Sequence, residues 1–557
     1  MNNRKVIIFA PPFSGHANVL LAMVRQHPEV DFHFVFTGWE NIPIHVNIPA
    51  QRLDAPPLEQ TDPALWTLPR VAQLLPECLR IAELVKPDVI VYDFFSLEGH
   101  IVGKLLGIPT WCSIPALLGP SDRSYLDAKL LTPENQTAIR RIRETTGFEV
   151  APESFEVISD GMHQPGDLDL VWSYPSVTPP AFRTGRADVT RVFVGNPFPR
   201  EGRGTGGRIV LLSFGTVVMD NLWNQQTAIR TRMIRLIEEL TRRWGDSPFQ
   251  VWFITQGRYV LPSYPRNWKV IARVDQCHVL DETAIFVTHA GSNGFHEALV
   301  RKVPMVAVPF FGDQPLVARR IEELGVGLNV GRTGNIDTRN AVDALDDGLG
   351  ERIDKAVEKI RTHRAVYAAA YERLDLKASP LGPLLAGRIP FEEGDLLYGT
   401  NIARTAYVNE TAAQDDFHLF KFLPFSQMAT RGDALPRIVD IYHDAIRDEN
   451  AYAQEAACDV KPYADLIRDY REHLAGETDI GEMCLRGLDF FTQRFRVHFI
   501  LEDYDPKLST ITTKEILYVL GERARFEGRV IFYKKVAGTW APWDFEAVAT
   551  WLRWLVG

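Results

Sequence analysis

The segment Phe286-Val287-Thr288-His289-Ala290-Gly291-Ser292-Asn293-Gly294-Phe295-His296-Glu297-Ala298-Leu299 joins an apolar run to an amphipathic one through a few small residues. Its first part fits a buried parallel strand, Ile285–Thr288, that delivers His289 at its carboxyl end. Ala290, Gly291 and Ser292 let backbone approach a ligand closely, and a helix, Asn293–Lys302, then opens with its free N–H groups facing the same point. A strand, a small-residue loop and a helix N-terminus together make a phosphate-binding geometry. Glu297, one turn into the helix, comes within reach of vicinal hydroxyls such as those of a ribose.

Working outward, Val303-Pro304 leads into a strand at Met305–Val308, and Pro309 precedes Asp313-Gln314, whose donors and acceptors suit sugar hydroxyls. Upstream the same alternation reads as strand Ile209–Phe214, helix Thr227–Arg243 and strand Gln250–Ile254. Before that, 196–207 (NPFPREGRGTGG) sustains neither helix nor central strand and reads as a linker. On its far side a second series begins: strand Val6–Ala10, a loop carrying Gly15-His16, strand Phe32–Phe36, helix Val71–Val85, a strand from Asp88 ending at Asp93, and strand Thr110–Ile114. Alternation of this kind implies doubly wound parallel sheets, which bind ligands outside the carboxyl ends of their strands.

The expected organisation is therefore an N-terminal Rossmann-like domain over 1–195, the linker 196–207, a second Rossmann-like domain over 208–390, and an appended α+β region over 391–557. In that last region Arg494–Phe499 alternates like a half-buried strand and Arg529–Tyr533 resembles another. A terminal helix places Phe545, Val548, Leu552 and Leu555 on one face with Trp551 and Trp554 beside it.

A chain of 557 residues with 46% hydrophobic and 24% charged residues is globular and too long for one core. Its net charge of −10 disfavours nucleic acid or anionic membrane as a main partner. The five cysteines, Cys78, Cys112, Cys277, Cys458 and Cys484, show no C-x-x-C spacing and read as buried free thiols, with no metal expected. No apolar run approaches the roughly twenty residues of a membrane span, and the five-residue run Val6–Ala10 is short for a secretory signal, so a cytoplasmic location is expected.

The pattern H-x-G-x-N-G-x-x-E-A from His289 to Ala298, the prolines seven and twelve residues after Glu297, and the Asp-Gln pair sixteen and seventeen after it resemble the family-1 glycosyltransferases. That superfamily contains UDP-glucuronosyltransferases, plant glucosyltransferases and macrolide glycosyltransferases. Leu212-Ser213-Phe214-Gly215-Thr216 is similar to the family's turn beside the donor phosphates, Gly15-His16 to its catalytic histidine loop, and Tyr92-Asp93-Phe94 to its partner aspartate. The resemblance spans about 1–390 and leaves the C-terminal region unrecognised. It implies the GT-B fold, an α/β architecture of two Rossmann-like domains facing each other across a cleft.

It also implies an inverting, metal-independent hexosyl transfer from a UDP-sugar co-substrate, glucose favoured, to a hydroxyl of a small lipophilic or aromatic acceptor, with no further cofactor. His16 is then the general base and Asp93 its partner, with Glu98 in reserve. Gly215, Thr216, Gln276, His289, Gly291, Ser292, Asn293, Gly294, Glu297, Asp313 and Gln314 line the donor site. Three departures stand out: Arg273 replaces the aromatic ring that stacks on the base, and Ala290 and Lys302 stand where the family has glycine.

Other readings remain open from sequence. A nucleotide-sugar epimerase or hydrolase shares the fold, and a catalytically silent nucleotide-sugar-binding protein could act through 391–557, where a protein partner is also expected. The acceptor pocket is assigned to Ile42–Trp66 and Ser121–Met162. Asp167-Leu168-Asp169, a D-x-D, and Glu502–Asp505 are read as solvated surface rather than cation sites. Gly202-x-Gly204-x-x-Gly207 precedes a strand and is read as linker rather than a dinucleotide fingerprint.

Overall fold

The computed structural model describes residues 4–11, 14–37, 50–53, 68–119, 123–158, 161–183, 189–198, 207–332, 338–386, 396–399, 422–424, 469, 472–473, 475–477, 480–494, 496–501, 510–536 and 539–556. Most of the linker, the loop Ile42–Trp66 apart from 50–53, parts of Ser121–Met162, Glu502–Asp505 and Cys458 lie outside these residues, as does the side chain of Cys484. The chain divides into two compact units, one of 1–183 with 193–379 and one of 184–192 with 380–557.

The strands before residue 330 form two large sheets and one hairpin. Strands β1 (Lys5–Ala10), β2 (Asp31–Thr37), β3 (Ala50–Leu53), β4 (Val89–Asp93), β5 (Thr110–Ile114), β8 (Leu168–Val171) and β9 (Thr190–Phe193) form a seven-stranded sheet in the order β3-β2-β1-β4-β5-β8-β9. β6 (Glu156–Ile158) and β7 (Gly161–His163) make a small antiparallel hairpin of their own. In the second sheet β10 (Ile209–Ser213), β11 (Gln250–Ile254), β12 (Trp268–Ile271), β13 (Thr283–Thr288), β14 (Met305–Ala307) and β15 (Gly327–Asn329) run in the order β12-β11-β10-β13-β14-β15, every pair parallel.

Parallel strands covered by helices on both faces must be apolar throughout, and Val6–Ala10 and Val89–Tyr92 are fully buried. Each such Val, Ile or Phe contributes roughly 1.5–3 kcal/mol by leaving water, which is why these runs were legible. Helix ends follow local chemistry. Pro133–Thr146 starts with Thr132 accepting from the Asn135 N–H and Pro133 in the first turn, and stops at Gly147, whose φ is 74°.

Both sheets reverse their winding once, between β1 and β4 and between β10 and β13. A crevice opens at such a switch point beyond the strand ends. The sequence places His16 and Asp93 at the first and Gly215 and His289 at the second.

The second unit carries a mixed five-stranded sheet. Its strands are β16 (Leu396–Gly399), β17 (Phe422–Pro424), β18 (Val497–Ile500), β19 (Val530–Val536) and β20 (Thr539–Trp543), in the order β17-β16-β18-β19-β20 with antiparallel edges. Helices Ile480–Arg494, Thr510–Gly521 and Phe545–Val556 supply Leu488, Phe491, Ile516, Val548 and Leu552 to its core. The half-buried strand expected at Arg494–Phe499 is corrected here. Arg494 ends a helix, and Val497, His498 and Phe499 are all buried, so the alternation of residue types did not mark an exposed face. In the terminal helix Trp551 is buried whereas Trp554 is 69% exposed.

Candidate active site

At the first switch point, Asp93 closes β4 and is fully buried. His16 stands in the first turn of the helix Ser14–Gln26 rather than in the expected loop, because that helix starts almost directly after β1. Its Nδ1 lies 3.0 and 2.9 Å from the two oxygens of Asp93. A carboxylate only accepts, so Nδ1 carries the proton and Nε2 presents its lone pair. The Phe95 N–H also donates to Asp93 Oδ1 at 3.0 Å, and the rings of Phe94 and Phe95 stand 5.3 and 5.1 Å from the imidazole. Three contacts thus fix the histidine's tautomer and tilt. Phe94 was quoted only as a neighbour of Asp93 and Phe95 not at all, although two aromatics directly after a strand-ending acid are a readable signal.

The reserve candidate, Glu98, points elsewhere. It is fully buried with its carboxylate 3.7 Å from Arg70, and that pair belongs to the interior of the first sheet's helical layer.

At the second switch point, His289 follows β13 and Gly215 follows β10. Gly215 has φ 73°, and a Cβ there would stand 2.5 Å from His289 Cε1; a Cβ at Gly291 would meet His289 Nε2. Both positions are glycine because the ring occupies the space of a side chain. Thr216 is exposed and leads into the π-helical turn Val217–Leu222, so the expected turn is the head of a helix. Burial pushes the His289 imidazole down to about 4, with a contact to the Ser213 backbone pulling the other way, so at neutral pH the ring is an uncharged donor.

The helix Ser292–Val300 begins at Gly291, which offers no capping side chain, so its first N–H groups are left for another acceptor. Asn293 turns to the other half, its Nδ2 donating to the Gly15 carbonyl at 2.7 Å. Across the helix, Gln276 Nε2 donates to Glu297 Oε2 at 2.6 Å, Asp275 caps the short helix Gln276–Asp281, and Gly294 packs beneath Gln276. Burial raises the Glu297 carboxyl to about 7, against the hydrogen bond from Gln276 and the charge of Arg301.

Asp313 and Gln314 head the helix Gln314–Glu323. Gln314 Oε1 accepts from the N–H groups of Phe310 and Phe311 at 2.9 and 3.3 Å, which leaves its amide nitrogen as the group able to donate outward. Burial lifts the Asp313 carboxyl to about 6, and His16 pulls it back down, so Asp313 of one half and His16 of the other are electrostatic neighbours. Of the anticipated positions, His16 and Asp93 meet at the first switch point, Gly215, Gly291 and His289 pack together at the second, and Gln276 pairs with Glu297 on the helix that follows His289.

Contacts the sequence did not reveal hold the halves together. His296 donates through Nδ1 to the Ser292 carbonyl (2.7 Å) and accepts at Nε2 from the Ser173 hydroxyl (2.8 Å), while Arg320 donates to the carbonyls of Val177 and Ser176. Asp167-Leu168-Asp169 is not a solvated loop. Asp167 accepts from Lys104 and from the N–H and hydroxyl of Thr110, and Asp169 is fully buried. Cys277 is half-buried, whereas Cys78 and Cys112 are buried as expected.

Two Rossmann-like halves with paired switch points, a histidine–aspartate couple on one and an uncapped helix with a buried neutral histidine on the other, have the architecture of the GT-B fold. Residues 203–353 match the family described as UDP-glucoronosyl and UDP-glucosyl transferase. The chain is 25% identical over 371 residues to the NDP-glycosyltransferase YjiC of Bacillus licheniformis, covering 59% of this chain and 86% of that protein. Over 65 residues, 11% of this chain and 12% of the relative, it is 46% identical to human UDP-glucuronosyltransferase 1A9. Among solved structures, a glycosyltransferase of kitacinnamycin aligns with 21% identity and a TM-score of 0.46, over 66% of this chain and 98% of that one. Among the described residues no helix is long and apolar enough to cross a membrane.

Proposed function

We propose that the enzyme transfers a hexose, glucose by preference, from a UDP-sugar to a hydroxyl of a small lipophilic or aromatic acceptor with inversion at the anomeric carbon. The observation that carries this reading is the His16–Asp93 couple facing the donor half. With Nδ1 held by the buried carboxylate, Nε2 takes the acceptor proton as its oxygen attacks, and Asp93 stabilises the imidazolium that forms.

On the donor side, the N–H groups at the start of Ser292–Val300 and the neutral His289 donate to the diphosphate as the glycosidic bond breaks, which neutralises the leaving group without bulk water. Glu297 accepts from the ribose hydroxyls, Gln276 orients Glu297, and Asp313 with the Gln314 amide holds sugar hydroxyls. Arg273, exposed beside Gln276, offers a guanidinium plane for the base where the family has a ring.

The direct test incubates the full chain with UDP-glucose, UDP-glucuronate or dTDP-glucose and a panel of simple phenols, following UDP or dTDP release and the glycoside formed. Acceptor-dependent release with UDP-glucose preferred is the expected outcome. Release of free sugar at the same rate without acceptor would make the chain a hydrolase instead.

A further inference from the structure

Cys112 lies at the centre of β5, paired across the sheet with Tyr92 on β4 and Asp169 on β8. The side chains of such a cross-strand row share one face. His163, at the end of β7, covers that face. Cys112, His163 and Asp169 are each fully buried, and one ligating atom from each falls within 4.8 Å of the other two.

Both ring nitrogens of His163 face carboxylates at long range: Nε2 stands 3.5 Å from Asp169 Oδ2 and Nδ1 stands 3.6 Å from Glu156 Oε2. The other oxygen of Asp169 is tied to the Gly166 N–H at 3.1 Å, which aims Oδ2 at the histidine. Zinc bonds to nitrogen and oxygen of about 2.0–2.2 Å set the N···O edge of a tetrahedral site at about 3.4 Å, close to the spacing here.

We propose that Cys112, His163 and Asp169 form a structural site for a divalent metal ion, with zinc the ion best suited to it. Thiolate, imidazole and carboxylate are the donor set that zinc accepts, and one thiolate plus one carboxylate neutralise a dication in an interior that tolerates no net charge. Glu156, facing the remaining ring nitrogen, stands where a carboxylate orients a metal-bound histidine. The ion would clamp the β6–β7 hairpin to β5 and β8, and so brace the strand next to the one that ends in Asp93. Sequence spacing could not reveal this site, because the three ligands come from three separate strands and only the fold collects them.

The test is elemental analysis of the purified full chain, with cobalt(II) substitution as a second readout. About one zinc per chain is expected, together with a thiolate-to-cobalt charge-transfer band in the wild type that is missing from Cys112→Ser. Asp169→Asn should hold the metal more weakly, and chelation should lower Tm until zinc is restored. A wild-type chain that takes up no zinc after incubation, shows no cobalt–thiolate band and melts identically with and without chelator overturns the proposal. So does a folded Cys112→Ser chain with an unchanged cobalt spectrum. Should either variant fail to fold, the wild-type spectrum and metal content decide alone.

Discussion

His16 and Asp93 come from elements 77 residues apart, yet the imidazole Nδ1 is held between both carboxylate oxygens at 2.9 and 3.0 Å. The histidine side chain is 22% exposed and the aspartate fully buried, so the couple has one end in the protein interior and one partly open. Asp93→Asn keeps the shape and removes the charge that, in the proposed mechanism, stabilises the imidazolium. Loss of kcat by about 10²–10⁴-fold is expected, with UDP affinity unchanged by calorimetry. A variant retaining more than half of the wild-type rate would show that the carboxylate does nothing for the reaction.

Glu297 titrates near 7 when folded against an ordinary value of 4.5. The folded chain therefore holds a proton that the unfolded chain releases, so this group's stabilisation is complete below about pH 4.5 and fades as pH rises towards and through 7. Glu297→Gln carries no such titration. Relative to wild type the variant should gain up to about 3 kcal/mol between pH 4.5 and 8, read from paired denaturant melts. Parallel pH dependence in the two chains would mean that Glu297 is not buried as described.

Gly215→Ala places a Cβ 2.5 Å from His289 and forces a residue with a side chain to φ 73°. The ring must leave its position or the turn must open. UDP affinity is expected to fall by about tenfold or more, since about 1.4 kcal/mol suffices for that, and isothermal calorimetry reads it directly.

Lys302, which stands where the family has glycine, adopts φ 56°. A left-handed residue costs roughly 1–2 kcal/mol, and a glycine returns part of that as chain entropy and loses the exposed Lys302–Glu372 ion pair. Lys302→Gly should raise stability by about 0.5–1 kcal/mol. Ala290, the other position where a family glycine is missing, also has positive φ (62°). The departures from the family pattern thus mark backbone positions that favour glycine.

The parallel strands were readable because burial on both faces leaves uninterrupted apolar runs. β5 matches its expected bounds, and β4 and β13 differ from theirs by a residue or two. The strand, helix start and Asp-Gln pair of the candidate donor site were readable together because one contiguous stretch, 286–314, carries them. What the sequence concealed is non-local. The His296–Ser173 hydrogen bond, the electrostatic approach of Asp313 to His16 and the Cys112–His163–Asp169 cluster each join residues that no local period connects. In 494–499, residue alternation misled because the polar His498 is buried, stacked on Tyr533 with ring centroids 5.4 Å apart. Short edge strands such as β12 and β15 lack the apolar length that betrays a central strand.

The proposed chemistry rests most heavily on His16 acting as base while the donor site binds independently. The deciding measurement compares wild type with His16→Ala, taking acceptor-dependent UDP release and calorimetric UDP affinity from the same preparations. Release should fall by about 10²–10⁴-fold with UDP affinity within about twofold, because His16 contributes to proton removal and not to nucleotide binding. A His16→Ala enzyme that transfers sugar at the wild-type rate would contradict the assignment.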